Sequence, residues 1–347
     1  MGHALTEVFA GVPSDPVGGA IVASAAVRAR ASTKGMVAKT ARGASTARRR
    51  IGAHVPTAGG LARASLPYIE ATGADVVQVY VSNPRGWALS TGDAAQDDAF
   101  VAGCAERDVM AFIHASLLVN LGSPTPETVR RSAATLDHAL QRGAVIGARA
   151  VVFHAGSAVD AEHAPVAYRQ LHDTLLPLLD AAMAAGGPRL LVEPSAGGGR
   201  SLAARVEALA DYFEAVEHHP WLGVCFDTCH AWAAGHDLAT PGGMTETLDA
   251  LVASCGAERL SLVHANDSKD GRGSLRDRHQ NIGAGLIGAD PFRELFAHPA
   301  AAGVPIVVET PSERAAGHAA DIAILRQMAD GKRSVRRRPV ARRRDHA

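Results

Sequence analysis

Eight short apolar runs separated by longer amphipathic segments predict a (β/α)8 barrel, an α/β fold in which strands and helices alternate. Three observations carry this reading. The alternation repeats eight times between residues 51 and 330, close to the roughly 250 residues such a barrel takes. Several runs are almost continuously apolar, as parallel strands covered on both faces require. Side chains able to hold a metal ion close six consecutive runs, at the end where these barrels place their active sites.

The strand candidates are Ile51–Val55, Asp75–Ser82, Val109–Ser116, Ala148–Ala155, Arg189–Ser195, Leu222–Thr228, Arg259–Asp267 and Pro305–Thr310. Between them, Pro126–Arg142, Ala164–Ala185, Ser201–Val216 and Thr245–Cys255 carry helix formers with apolar residues three and four apart. Pro124 and Pro126 open the first of these helices, and Gly143 with Gly147 closes it.

The chain has 347 residues, 47% of them apolar and 20% charged, which excludes a wholly disordered polymer. Its formal net charge of +0 averages unlike parts. Residues 1–50 hold eight Lys/Arg against two acids, and residues 331–347 hold eight against one. The span 51–330 keeps 19 basic and 32 acidic residues, an acidic body between two basic ends. The ends read as a disordered basic extension and a disordered basic tail. Arg336–Arg338 and Arg342–Arg344 in the tail suit contact with DNA phosphates.

Cys104, Cys225, Cys229 and Cys255 form no CxxC pair and no disulfide framework, so a reducing compartment is expected. No run reaches the roughly 20 apolar residues of a membrane span. The apolar stretch Gly18–Val27 has no basic segment before it, which argues against a secretory signal. The expectation is a cytoplasmic, bacterial-type monomer that does not meet a membrane.

The six strand-end residues are His114, His154, Glu193, Asp227, His264 and Glu309. A single one would read as a satisfied polar residue at a loop start. Six in succession would leave buried polar groups converging without a partner. His230, three residues after Asp227, and the pair Asp277 and His279 extend the set to nine. Nitrogen and hard oxygen donors suit Zn²⁺, Mn²⁺ or Fe²⁺, and nine ligands suit two or three ions. Cys229 reads as a small residue packed beneath them.

In order along the chain, several motifs resemble the endonuclease IV family of apurinic/apyrimidinic endonucleases. They are Ile51-Gly52-Ala53-His54-Val55 with Gly59-Gly60, His114 through Asn120-Leu121-Gly122, Phe153-His154-Ala155-Gly156-Ser157, and Val192-Glu193 with Ala196-Gly197. Then come Asp227-Thr228-Cys229-His230-Ala231, His264-Ala265-Asn266-Asp267-Ser268-Lys269, Asp277-Arg278-His279 with Ile282-Gly283, and Val308-Glu309-Thr310.

The resemblance implies a TIM barrel with three zinc ions per chain, for which Mn²⁺ can substitute. It assigns His114, His154 and Glu193 to the first ion. Glu193 bridges to a second, completed by Asp227, His264 and Glu309, and His230, Asp277 and His279 hold the third. It further implies hydrolysis of duplex DNA on the 5′ side of an abasic site, leaving a 3′-hydroxyl and a 5′-deoxyribose phosphate, with trimming of blocked 3′ ends. Glu193 is the expected catalytic residue, orienting the nucleophile.

By the same resemblance, Asn83-Pro84-Arg85-Gly86-Trp87 matches the DNA-recognition loop, with Arg85 inserted into the duplex. Leu117, followed by Leu118, stands where the family usually has an aromatic. Leucine wedges but does not stack, so weaker preference for abasic DNA is expected. Lys269 and Arg278 are candidate phosphate contacts. Two other readings stay open on the residues alone. A sugar isomerase or epimerase on a related barrel needs the strand-end donors but not His230, Asp277 and His279. A non-catalytic DNA-binding metalloprotein would close its coordination shell.

Overall fold

The computed structural model describes residues 49–313 and 315–331. Eight parallel strands close a barrel: β1 (Ile51–His54), β2 (Val76–Val79), β3 (Met110–His114), β4 (Ala150–His154), β5 (Arg189–Glu193), β6 (Leu222–Asp227), β7 (Leu260–His264) and β10 (Ile306–Val308). The last strand pairs with the first, Ile51 opposite Ile306. Between β7 and β10 a small antiparallel hairpin forms from β8 (Asp267–Ser268) and β9 (His279–Gln280).

Helices α1 (Leu61–Thr72), α2 (Ala94–Glu106), α3 (Pro126–Ile146), α4 (Ala164–Ala184), α5 (Leu209–Ala215), α6 (Thr228–Ala233), α7 (Gly243–Cys255), α8 (Pro291–Ala297) and α9 (Ala315–Ala329) join and surround the strands. Helix α3 shows how the sequence sets an element. Pro126 opens it, its buried face carries Leu136, Ala139, Leu140, Gly143 and Ile146, and Gly147 caps it at φ 69°, a left-handed value that glycine adopts without strain.

Strand residues alternate between two environments. Outward residues pack under the helices in one large core that includes Ile51, Val77, Ile113, Val151, Leu190, Val224 and Val263. Inward residues form a separate layer: Val76, Phe112, Val152, Leu191, Cys225, Leu262 and Val307. Two residues further along each strand path, the next inward position is Gln78, His114, His154, Glu193, Asp227, His264 and Glu309. In β1 the corresponding pair is Gly52 and His54. A Cβ on Gly52 would lie 1.6 Å from Val76 O, so no larger residue fits there. The barrel is therefore plugged by an apolar layer with an entirely polar layer above it, at the C-terminal mouth.

One irregularity keeps that layer in phase. Val224 pairs with Leu260, but Cys225 pairs with Leu262. The extra residue, Ser261, is a bulge that shifts register by one. Without it Asp227 would stand opposite Val263. With it Asp227 stands opposite His264, and both point into the mouth.

The expected barrel is present, with shorter strands than the apolar runs. Asp267, included in the seventh run, belongs to the hairpin. Gly143 lies inside α3 rather than after it. The helix expected over Ser201–Val216 is replaced by a short 3-10 turn at Val206–Ala208 and α5. Residues 200–203 tie the β4 and β5 loops together instead: Ala158 N donates to Arg200 O, Leu202 N to Gly156 O, and Ser195 N to Ala203 O. The two basic ends lie outside the described residues apart from Arg49, Arg50 and Gly331. Arg49 donates to Phe296 O at 2.6 Å and Arg50 pairs with Asp108 at 2.7 Å, so both already belong to the barrel. No helix among the described residues is long and apolar enough to cross a membrane.

Outside the barrel, α2 and α3 are tied by a buried bidentate pair. Arg142 Nη1 and Nη2 donate to Asp97 at 2.9 and 2.6 Å, with Asp97 only 4% exposed. Removing one partner strands a buried charge. Arg142→Met is expected to destabilise the fold by about 3–5 kcal/mol in urea denaturation. The double variant with Asp97→Leu should recover much of that loss, and equal losses in the two would contradict the pairing.

Candidate metal centre

The nine expected donors converge at the mouth in three groups whose ligand atoms lie within 4.8 Å of one another. His114 from β3, His154 from β4 and Glu193 from β5 form one. Glu193, Asp227 from β6, His264 from β7 and Glu309 just beyond β10 form the second. His230, in the first turns of α6, meets Asp277 and His279 of the hairpin in the third. Glu193 is shared and fully buried. Its Oε1 lies 3.0 Å from His264 Nδ1 and 3.2 Å from His230 Nδ1, while its Oε2 lies 3.3 Å from His114 Nε2 and 3.7 Å from His154 Nε2. The two oxygens of one carboxylate thus address different histidines.

Most of these side chains are held from behind. His114 Nδ1 bonds Ala115 O at 2.7 Å, His230 Nδ1 bonds Pro194 O at 3.0 Å, and His279 Nδ1 bonds Glu309 O at 3.2 Å. A carbonyl only accepts, so each of these nitrogens carries its proton. The Nε2 atoms of His114, His230 and His279 then offer lone pairs to the centre, the arrangement a metal ligand needs. His279 Nε2 is buried without a hydrogen bond among the described residues, although Asp277 Oδ1 lies 2.8 Å away. Asp227 accepts from His230 N at 2.9 Å and from Asn266 Nδ2 at 2.7 Å. Asn266 Oδ1 in turn accepts Glu309 N at 2.8 Å, so one buried amide fixes the Asp227 carboxylate and the backbone that carries Glu309. Histidine and carboxylate donors with anchored far sides fit zinc or manganese.

The electrostatics show a cluster holding charge that it cannot solvate. Burial opposes ionisation of Glu193, yet His264, His114 and His230 keep it well below the ordinary carboxylate range. Burial likewise works against His230 and His264, but Asp227, Asp277 and Glu193 raise His230, and Cys225, Glu309 and Glu193 raise His264, well above the ordinary histidine value. For His279, burial is outweighed by Asp227 and Asp277, and its pKa rises to about 9. His154 goes the other way, lowered to about 4 chiefly by burial.

A cavity of about 340 Å³ opens above the groups, lined by His54, Tyr80, His114, Leu117, His154, His230, Asp277, His279, Glu309, Thr310, Ser312 and His318. Leu117 stands at its rim, 41% exposed, while the neighbouring Leu118, 37% exposed, is not part of the lining. Leu117 N and Ser116 Oγ both donate to Pro84 O at 2.9 Å, which joins this rim to the loop carrying exposed Arg85. Lys269 is exposed on the hairpin. Arg278 is in a bidentate ion pair with Asp270, so its charge is locally neutralised.

Two members of the polar layer escaped the sequence reading of the site. His54, Gln78 and Glu309 lie together, with Gln78 Nε2 donating to Glu309 Oε1 at 2.6 Å and His54 Nδ1 3.2 Å from the same oxygen. The inward period-2 continuation from Gly52 and Val76 was the signal that pointed to them.

Comparison with known proteins agrees with this geometry. Residues 66–328 match the family model described as a xylose isomerase-like TIM barrel. A probable endonuclease 4 of Streptomyces coelicolor is 53% identical over 281 residues, covering 81% of this chain and 95% of its own. The crystal structure of endonuclease IV from Thermus thermophilus superposes with a TM-score of 0.71 at 34% identity, covering 81% of this chain and 99% of the other. A D-tagatose 3-epimerase-like protein gives a TM-score of 0.63 at 17% identity over 81% of this chain and 97% of the other, a likeness of fold alone.

Metal binding to this centre must displace the protons that the carboxylates hold on its histidines. Histidine pKa values raised above neutrality, about 9 for His279, set the sign: affinity falls as pH falls. The expected loss is roughly tenfold per pH unit for each proton displaced. Calorimetric titration with zinc in buffers of different ionisation enthalpy reads the proton release, and binding without release would contradict the assignment.

Proposed function

The chain belongs to the endonuclease IV family, and from that membership we propose that it is a zinc-dependent DNA-repair endonuclease. It hydrolyses the phosphodiester 5′ to an abasic site in duplex DNA, leaving a 3′-hydroxyl and a 5′-deoxyribose phosphate, and trims blocked 3′ ends. The observation that carries this reading is the third donor group. His230, Asp277 and His279 meet beside the two strand-end groups, and a sugar isomerase or epimerase has no need of them.

His114, His154 and Glu193 would hold one ion, Glu193, Asp227, His264 and Glu309 a second, and His230, Asp277 and His279 a third. Zinc bound there supplies a lower water pKa and positive charge for the phosphate and the departing oxygen. The chain's own residues do the rest. Glu193, with its two oxygens facing different groups, orients the attacking water. Asn266 keeps Asp227 turned toward the centre and anchors the backbone at Glu309. Arg85, Leu117 and Leu118 wedge the duplex open at the rim, so that the damaged sugar reaches the cavity. Lys269 contacts phosphate from the hairpin. Arg278, already paired with Asp270, serves chiefly to brace the hairpin.

Nicking of an abasic-site duplex should vanish on chelation and return with added zinc. Glu193→Gln should lower kcat by about 10²- to 10⁴-fold, and near-wild-type turnover would rule out its assigned role. Leu117→Tyr should raise the preference for abasic over intact duplex by about fivefold or more, the low end of base–aromatic stacking. Competitive binding assays on the two duplexes measure that ratio, and no change would remove Leu117 from recognition.

A further inference from the structure

Gln78 is fully buried in the polar layer, among the donors of the metal groups. Its Oε1 lies 2.9 Å from His264 Nε2. Its Nε2 lies 2.6 Å from Glu309 Oε1 and 3.0 Å from His54 Nδ1. An amide fits such a slot in either of two orientations, but its neighbours here allow one. A carboxylate accepts and never donates, so the NH₂ end must face Glu309. The carbonyl end then faces His264, whose Nε2 must carry a proton and donate it. That leaves His264 Nδ1 as the lone-pair atom, and Nδ1 is the atom that faces Glu193 Oε1 at 3.0 Å and Glu309 Oε2 at 3.3 Å.

We propose that Gln78 is a positioning residue for the metal centre. It locks His264 in the tautomer that presents Nδ1, and it holds Glu309 by Oε1 so that Oε2 turns toward the same ion. This rests on the metal reading above. His114, His230 and His279 receive the equivalent service from backbone carbonyls, which substitution cannot remove. For His264 the anchor is a side chain on a different strand, and it serves two ligands of one group at once. Gln78 is bonded to none of His230, Asp277 and His279, so its influence is local to the group of Glu193, Asp227, His264 and Glu309.

The locality makes the test specific. Gln78→Met keeps the length and fills the barrel but neither donates nor accepts. The zinc-loaded full-length chain is mixed with a chromogenic chelator and zinc release is followed in time, alongside the melting temperature of the metal-free protein. One kinetic class of zinc should leave roughly 10- to 100-fold faster than in the wild type, the usual effect of losing a ligand's outer partner, while the others keep their rates. Gln78→Glu, which still accepts from His264 but sets a second carboxylate against Glu309, should accelerate the same class and carries the test if the methionine variant does not fold. Unchanged release overturns the proposal. So does equal acceleration of every class together with a lower metal-free melting temperature, because that marks a general packing role. A wild-type chain that retains no zinc overturns it along with the metal reading. The readout is zinc retention, so a failure to nick abasic DNA would tell against the nuclease reading alone.

Discussion

A carboxylate buried at the centre of an apolar barrel is the constraint around which this molecule is organised. Glu193 has no access to water, and an isolated charge there would be strongly unfavourable. Its ionised state persists because histidines from three other strands and from α6 surround it. Of these, His114 and His230 are in turn held by backbone carbonyls and His264 by the amide of Gln78, while Asn266 holds Asp227 and Gln78 holds Glu309. Each shell exists to make the one inside it tolerable. Without metal the shells balance as ion pairs. In the proposed metal-bound state the same atoms would become ligands, and the protons are what would leave.

The barrel delivers this arrangement through period-2 alternation and one bulge. The apolar runs made all eight strands legible, because continuous hydrophobicity is the mark of strands covered on both sides. Six strand ends were legible as chemistry because His, Glu or Asp closed them. His54 and Gln78 were harder. His54 sits inside the short run Ile51–Val55, and Gln78 sits inside Val76-Val77-Gln78-Val79, where one polar residue reads as an interruption. Their place in the layer follows only once inward and outward faces are assigned. The bulge at Ser261 has no local sequence signal, since a serine in a strand is unremarkable, and only the pairing of β6 with β7 exposes it. The false helix start at Ser201 has the same origin: long-range loop bonds override a locally helical composition.

The grouping of His230, Asp277 and His279 was of another kind. Spacing alone did not join residues 47 apart, and the family resemblance supplied the link that the hairpin then made geometric. Recognition elements follow a similar division. Arg85 and Leu117 come from different loops, yet two hydrogen bonds to Pro84 O make them one rim. Under the proposed function, Arg85 at that rim and Lys269 on the hairpin are the cations that the acidic body would offer to DNA.

The small hairpin of β8 and β9 has a structural consequence. Every donor in the first two groups comes from a strand end or from the residue just beyond one, so it is bound to the barrel's own geometry. In the third group, Asp277 and His279 ride on a two-residue pairing outside the barrel, and His230 on a six-residue helix. A barrel with the strand-end centre can therefore differ in this trio with no strand re-registered, although α6 itself is buried and packs in the core. The strand-end donors are set by the barrel itself, and the third group by what is attached at its mouth.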